Sequence, residues 1–208
     1  MQELVKPVIN DNENIVAGNV KPFDKKVVNT ISEERFKEKY LSEAPTINLL
    51  FRREVFKKIG LFNIKYAFGE DVDITWRSIN AGYKIRYANK ALIYHNWGNL
   101  ITQSVRMIKY GKVRVYLYID HPDKIKSLIK NESIVVLIYP LFLLLLPLSI
   151  IFPYYLLLLV VPILKNWNHN PFFVVFFNLL FGFGVILGLI MNINSIFNKH
   201  TSTNYLKL

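Results

Sequence analysis

The sequence has no cysteine among its 208 residues. Disulfide bonds, thiolate metal sites and cysteine nucleophiles are therefore excluded. Residues 1–14 are polar and partly acidic, so they do not have the apolar centre of a secretory signal peptide. The sequence also has no glycine-rich phosphate loop and no strand–helix–strand unit of the kind that binds nucleotides. Function must therefore be sought in the distribution of charge, the apolar runs and the acidic residues.

Charge is scarce in the last third of the chain. Residues up to Lys130 carry 23 Lys or Arg against 14 Asp or Glu, a net charge of +9, whereas Ile134–Leu164 carries no charge. We therefore expect two parts with a boundary near Lys130. A basic domain tied to a membrane most simply contacts anionic lipid head groups or phosphorylated substrates. No nucleic-acid-binding motif is present, so nucleic acid is not an expected partner.

Two apolar segments predict a membrane region at 131–198, followed by a tail at 199–208. The first, Ile134–Leu164, has 31 residues, and a single helical span needs about 20. Proline disfavours helix in the residue before it, which makes Phe152-Pro153 the expected break. This segment is either one long broken helix or a hairpin of two short ones, so the region holds two or three transmembrane helices.

The second apolar segment, Pro171–Ile193, predicts a cleaner span of 23 residues. It contains Gly184-x-x-x-Gly188, a spacing that lets helix backbones approach closely. The two glycines predict either a contact between two copies of the chain or packing against the first span of the same chain.

Basic residues just before the first span predict its orientation. Residues 104–130 carry seven Lys or Arg and two Asp. The positive-inside rule then places the N-terminal domain on the cytoplasmic side of a multi-pass cell-membrane protein. Within this segment, Gln103–Ile119 is basic, aromatic and amphipathic, and we expect it to lie as a helix in the membrane interface.

The part before residue 104 has a mixed α/β pattern. Asp73 and Arg77 are four residues apart on one predicted helix and are expected to pair. Strands are predicted at Ile15–Val20, Tyr83–Ala88 and Ala91–His95, an extended piece at Thr46–Phe51, and helices at Ser32–Leu41, Arg52–Ile59 and from Glu70 to Gly82.

The sequence Gly69-Glu70-Asp71-Val72-Asp73 places three carboxylates at the start of a helix. The helix dipole keeps such a carboxylate ionised, and an ionised carboxylate at a loop–helix junction can act as the general base for a hydroxyl. Acidic first turns are also favoured for structural reasons alone. Residues two apart on a helix point about 200° away from each other, so Asp71 and Asp73 are not expected to share a metal ion. His95 ends a strand and is either a metal or phosphate ligand or a surface residue.

Several segments, in this order and spacing, resemble the acceptor-side half of family 2 glycosyltransferases with the GT-A fold. The resemblance runs from about Asn14 to Lys130. It implies an α/β fold: a partial GT-A-type glycosyltransferase domain at 1–103, a basic interfacial helix at 104–130 and then the α-helical transmembrane region. The segments that carry it are Thr46–Phe62, Gly69–Arg77, Ala81–Tyr87, Ala91–His95 and Tyr110-Gly111-Lys112.

The resemblance implies an inverting sugar transfer from a nucleotide-sugar donor to a lipid-linked or membrane-proximal glycan acceptor. Asp71 would be the catalytic base, supported by Glu70. His95 matches a position where some GT-A enzymes place a metal or diphosphate contact. The residues that would shape the acceptor and diphosphate side or line the cleft are Asn48, Arg52, Trp76 and Arg77.

The resemblance also implies Mg²⁺ or Mn²⁺ as the cofactor. The family holds this ion with aspartates of a nucleotide-binding half that would precede Met1, and those aspartates are absent from this sequence. The chain is therefore expected to be inactive without a separate N-terminal half. The alternatives are a non-catalytic membrane adaptor or remnant of such an enzyme, and a lipid-binding anchor that acts through the basic helix.

Overall fold

The computed structural model describes residues 2–23, 39–128, 134–167 and 170–204. The chain divides into two compact units, Met1–Asn99 and Leu100–Leu208. The first unit combines a small sheet with helices, and the described residues of the second unit are helical or lie in the turns that join helices. The chain is therefore mixed α/β and mostly helical, as the sequence predicted at this coarse level.

The first unit has four strands and three helices among its described residues. The helix α1 precedes the sheet, and α2 and α3 lie between its third and fourth strands. The elements are α1 (Gln2–Asn10), β1 (Ile15–Pro22), β2 (Tyr40–Leu41), a 3-10 turn (Thr46–Asn48), β3 (Leu49–Phe51), α2 (Arg53–Ile59), α3 (Glu70–Asn80) and β4 (Ile85–His95).

The sheet has the order β2-β4-β1-β3. Strand β1 pairs in parallel with β4 and antiparallel with β3, and β2 pairs antiparallel with β4. The first half of β1 is fully buried, as expected for a central strand whose two faces are both covered. The hydrophobic core forms around this strand, and its buried members are Ile15, Ala17, Ala44, Val55 and Ile85.

The two strands predicted on either side of Asn89-Lys90 form one continuous strand, β4, so the prediction that they are separate is wrong. The pairing with β1 instead shifts at this point, because Gly18 lies opposite Ala88 and the next residue, Asn19, lies opposite Leu92. The additional residues bulge outward, which leaves Asn89 and Lys90 exposed. A bulge can contain polar residues while the strand continues on both sides of it. The local sequence does not distinguish such a bulge from a turn.

The helix predicted at Arg52–Ile59 is confirmed as α2. It ends at Gly60, whose φ of 80° favours glycine. The helix predicted at Ser32–Leu41 lies mostly outside the described residues. At its end the structure has the strand β2 instead, where the Tyr40 hydroxyl donates to Glu13 Oε1 at 2.8 Å. This bond raises the pKa of Tyr40, because it favours the protonated phenol.

The second unit begins with the long basic helix and continues through the apolar segments. Its first helix agrees with the amphipathic helix predicted at Gln103–Ile119. The elements are α4 (Leu100–Asp120), a 3-10 turn (Pro122–Ser127), α5 (Val135–Leu144), α6 (Leu148–Ile151), a 3-10 segment (Pro153–Leu159), α7 (Val160–Lys165) and α8 (Pro171–Asn204).

The first apolar segment folds back on itself. The Tyr155 hydroxyl donates to the Phe142 carbonyl oxygen at 2.9 Å, and the two rings stack with centroids 5.0 Å apart. Residues 13 apart in a straight helix would be separated by about 20 Å, so the chain must reverse between them. The sequence left open a broken helix or a hairpin, and the structure is a hairpin. It breaks before Pro147 as well as at Phe152, where a break was predicted.

Among the described residues, α8 is the one helix long and apolar enough to cross a membrane, over Pro171–Ile193 with a mean hydropathy of 2.6. The pieces of the hairpin are too short to qualify. The predicted multi-pass arrangement is therefore not supported, and one such helix is weak evidence for a crossing.

Gly184 and Gly188 of α8 do not pack against the first apolar segment, which was one of the two partners predicted for them. Gly184 lies against the backbone of Ile108, and a Cβ at Gly188 would lie 2.7 Å from the Lys112 carbonyl oxygen. Their partner is thus α4, which contributes Gly111 to the same contact from the other side. Gly182, two residues before Gly184 and so on another side of the helix, lies against Tyr139 of α5. Small residues on both helices allow this approach of two backbones.

We predict that Gly111→Ala loosens α4 from α8. In an unpacked helix this change stabilises by roughly 1 kcal/mol, because alanine has the higher helix propensity. Here the added methyl group collides with the Phe181 carbonyl group, a backbone atom that cannot rotate away. Overpacking of this kind costs about 1–3 kcal/mol. Hydrogen exchange of the full chain in detergent should show faster exchange of the α4 amides, and unchanged or slower exchange would contradict this contact.

Candidate active site

The candidate site is the first turn of α3. Gly69 precedes the helix with φ 78° and is buried, so the chain turns sharply into α3 at a position that favours glycine. Glu70, Asp71 and Asp73 all fall in the first turn of the helix, close to its first N–H groups. The other end of α3, at Asn80, leads into β4. The acidic turn lies at the opposite end of the helix, roughly 15 Å from Asn80.

Asp71 is half-buried and lies at the surface end of the turn. Its Oδ1 accepts a hydrogen bond from the Val72 backbone N–H at 2.8 Å. The Thr75 hydroxyl donates to the Asp71 carbonyl oxygen at 2.7 Å, which fixes the backbone that carries the carboxylate. A carboxylate that is held in place and still reaches solvent can receive a proton from a bound hydroxyl.

Asp73 has a different environment, although it is only two residues away. It is 2% exposed and forms an ion pair with Arg77, with Nη2 and Oδ2 2.8 Å apart. The pairing predicted from the four-residue spacing is confirmed. Asp73 is thus turned into the interior, whereas Asp71 is half-buried.

Arg77 was predicted to contact substrate, and the structure places its guanidinium in contacts with the protein itself. In addition to Asp73, it donates to the carbonyl oxygens of Ile59 at 2.6 Å and of Leu61 at 2.9 Å. These bonds hold the end of α2 and the start of the following loop against α3. Arg77 therefore fixes the loop that leads to the acidic turn.

Asn48 and Arg52 also donate to backbone carbonyl groups. The buried Asn48 amide donates to Ala91 at 2.7 Å and to Asn19 at 3.0 Å, and it thereby bridges β1 and β4 at the bulge. Arg52 donates to the Val8 carbonyl oxygen at 2.6 Å, near the end of α1. The structure thus gives both residues structural roles, and their predicted contacts with substrate remain predictions.

Trp76 and His95 occupy opposite environments. Trp76 is 5% exposed and lies in the interior of the first unit. His95 is half-exposed at the end of β4, and its ring meets the edge of the Trp97 ring at a centroid distance of 4.8 Å. Within the part of the chain that the structure describes, no three His, Cys, Asp or Glu side chains form a group able to hold a metal ion.

The structure reveals one feature of α3 that we did not predict. The helix is buried on several sides and not on one face, because Ile74 and Ser78 are buried as well as Thr75 and Trp76. Its hydroxyl side chains bond backwards to carbonyl groups of their own helix, as Ser78 does to Ile74 at 2.7 Å. This bonding allows small polar residues to lie in a core.

Comparison with known proteins gives two related matches. A pre-mycofactocin glycosyltransferase of Mycobacterium tuberculosis (strain CDC 1551 / Oshkosh) is 32% identical over 90 residues, which make up 43% of this chain and 19% of the relative. The pre-mycofactocin glycosyltransferase of strain ATCC 25618 / H37Rv matches to the same extent. The chain thus spans about a fifth of the length of the curated relatives it matches. These matches support a glycosyltransferase relationship.

No protein-family model matches the chain, and no solved structure matches it significantly. Membership of family 2 and the GT-A fold therefore remain predictions from the sequence motifs.

We predict that Arg77→Lys destabilises the protein in the absence of any ligand. A lysine ammonium has no planar fork with which to contact Asp73, Ile59 and Leu61 together. A buried acceptor left without its donor costs about 1–3 kcal/mol. Thermal unfolding of the full chain in detergent, followed by tryptophan fluorescence, should show a lower Tm. The matched control is Arg53→Lys, the same change at an exposed position of α2; equal Tm values for the two variants would contradict this structural role.

Proposed function

We propose that the chain is the acceptor-side part of a membrane-bound, inverting glycosyltransferase of family 2. The observation that supports this proposal best is the contrast between two neighbouring carboxylates. Asp73 is neutralised by Arg77 in the interior, whereas Asp71 is half-buried on a backbone that Thr75 holds in place. The glycosyltransferase relatives add independent support for sugar transfer as the reaction class.

In this proposal Asp71 is the catalytic base. Its carboxylate takes the proton from a hydroxyl group of the acceptor. The hydroxyl oxygen forms a bond to the anomeric carbon of the donor sugar, while the bond from that carbon to the diphosphate oxygen breaks. The electrons of the broken bond leave with the nucleotide diphosphate, and the sugar configuration inverts. Glu70, beside Asp71 at the helix start, keeps the turn acidic and supports the base.

The residues around the turn act in this proposal mainly by positioning it. Arg77 holds the loop that leads into α3, and Asn48 and Arg52 hold the strands and the first helix. Trp76 packs behind the acidic turn in the interior. His95, at the end of β4, remains the candidate residue for contact with a metal ion or with the diphosphate of the donor.

Binding of the sugar-nucleotide donor requires protein residues in addition to those of this chain. We propose that a nucleotide-binding half, on a longer chain or a separate one, binds the sugar nucleotide and supplies the aspartates for Mg²⁺ or Mn²⁺. The metal ion would neutralise the leaving diphosphate, which is a large part of the barrier in such transfers. The acceptor is proposed to be lipid-linked, because the second unit exposes a large apolar surface that suits attachment to the cell membrane.

The test is sugar transfer in membranes. The membranes come from cells that express the chain from its natural locus, together with the DNA upstream of it. They are incubated with Mn²⁺ and radiolabelled UDP-glucose, UDP-N-acetylglucosamine or GDP-mannose. We expect label in the solvent-extractable lipid fraction. Asp71→Asn should reduce the rate by about 100-fold or more, because a general base contributes roughly 10²–10⁴-fold.

The matched control is Glu54→Gln, which removes an exposed carboxylate from the first turn of α2. It should leave the rate unchanged. Full activity of Asp71→Asn at normal protein levels would show that Asp71 is not the base. The absence of transfer from every donor, with a folded chain present in the membrane, would favour the alternative of a non-catalytic membrane adaptor.

A further inference from the structure

The second unit exposes an apolar surface that is far larger than a monomeric soluble protein usually shows. The hairpin at 134–165 contributes most of it, and the tip is the most exposed part, with Ile150 85% and Ile151 86% exposed. No charged residue interrupts the sequence from Ile134 to Leu164. Lipid hydrocarbon covers such a surface without requiring any matching polar group.

The arms of the hairpin are too short to cross a bilayer. The helix α5 has 10 residues and is about 15 Å long, whereas the hydrocarbon core is about 30 Å thick. The contact between Phe142 and Tyr155 returns the chain to the end of α5 after the turn. A hairpin of this depth enters one leaflet and leaves by the same side.

The helix α4 restricts the depth that α8 can reach. Ile108 contacts Gly184 and Lys112 contacts Gly188, so the two helices run in the same direction, side by side. Both glycines lie within the apolar stretch of α8 at Pro171–Ile193. The basic residues of α4 are therefore level with the second half of that stretch, from its middle at Arg106 to near its end at Arg114; they are Arg106, Lys109, Lys112 and Arg114.

If α8 crossed the bilayer with α4 attached, these four cations would enter the hydrocarbon core. Charges at that depth are strongly unfavourable and rare. At the membrane surface the same cations lie among anionic head groups, which attract them. Packing of α4 on α8 and a crossing by α8 are therefore hard to reconcile, and glycines on both helices maintain the packing.

We propose that the second unit inserts into a single leaflet of an anionic bilayer from one side and does not cross it. The tip of the hairpin penetrates deepest, α8 lies with its exposed apolar side in the same leaflet, and α4 lies at head-group level. The chain is then attached to one face of the membrane, although α8 is long enough to span it. This inference rests on the membrane attachment proposed above and is independent of sugar transfer, so its test needs no enzymatic activity.

The test uses cysteine labelling, for which the natural absence of cysteine provides a clean background. Three variants of the full chain carry one cysteine each: Lys57→Cys in the first unit, Asn166→Cys between the hairpin and α8, and Ser202→Cys near the end of α8. Membrane vesicles of both orientations are treated with a membrane-impermeant maleimide. All three positions should react in the same vesicle orientation and be protected in the other.

Each alternative gives a different labelling pattern. Reaction of Ser202→Cys from the face opposite to Lys57→Cys would show that α8 crosses and would overturn the proposal. Reaction of Asn166→Cys from the opposite face would show that the hairpin crosses, with the same consequence. Labelling after solubilisation in detergent verifies that every thiol is reactive.

A second measurement tests the depth of the hairpin tip. Ile150→Cys carries a fluorescent bimane label, and the chain is reconstituted in vesicles of phosphatidylglycerol and phosphatidylcholine with lipids brominated at different acyl positions. We expect bromines along the acyl chains to quench the emission. The matched control is Ile64→Cys, at a fully exposed isoleucine (101%) in a loop of the first unit, and its emission should not change. An unquenched label at position 150 would show that the tip is not inserted and would overturn the proposal.

Discussion

The bonds of the Arg77 guanidinium to three partners hold the candidate site together. Arg77 pairs with the buried Asp73 on its own helix and donates to the Ile59 and Leu61 carbonyl groups at the end of α2. The planar fork of arginine meets all three partners at once, which no other side chain can do. The position of the loop before Gly69, and with it the direction in which Asp71 points, depends on this contact. The ion pair neutralises Asp73 in the interior, and Asp71 lies half-buried in the same turn.

In the second unit the main constraint is a close contact between the backbones of α4 and α8, and not an ion pair. Glycines of α4 and α8 let the two helices touch through Ile108, Lys112, Gly184 and Gly188. Because this contact holds a basic helix against the middle of an apolar one, the length and hydropathy of α8 do not by themselves decide how it meets a membrane. The nearest neighbour of a helix decides which of its sides lipid can reach.

The sequence predicted local features well wherever one residue type has a single physical role. Gly60 ends α2, and Asp73 pairs with Arg77, because a positive φ and a four-residue spacing are local properties. The division of β4 into two strands was wrong, because Asn89-Lys90 has the composition of a turn and the bulge exists only through pairing with β1. The deep burial of Ser78 was also missed, since its bond to Ile74 compensates for its polarity only inside the folded helix.

By itself the sequence determined the mixed α/β first part, the acidic helix start, the charge-free segments and the relationship to glycosyltransferases. The first three follow from composition and spacing, and the last follows from the resemblance of several segments to known glycosyltransferases. None of the four needs knowledge of distant neighbours. Only the tertiary structure decided that Asp73 is buried in an ion pair with Arg77 while Asp71 is half-buried, that the first apolar segment turns back at its prolines, and that the glycines of α8 contact α4. Each of these depends on which residues, far apart in the chain, come within bonding distance, and periodicity along the sequence does not contain that information.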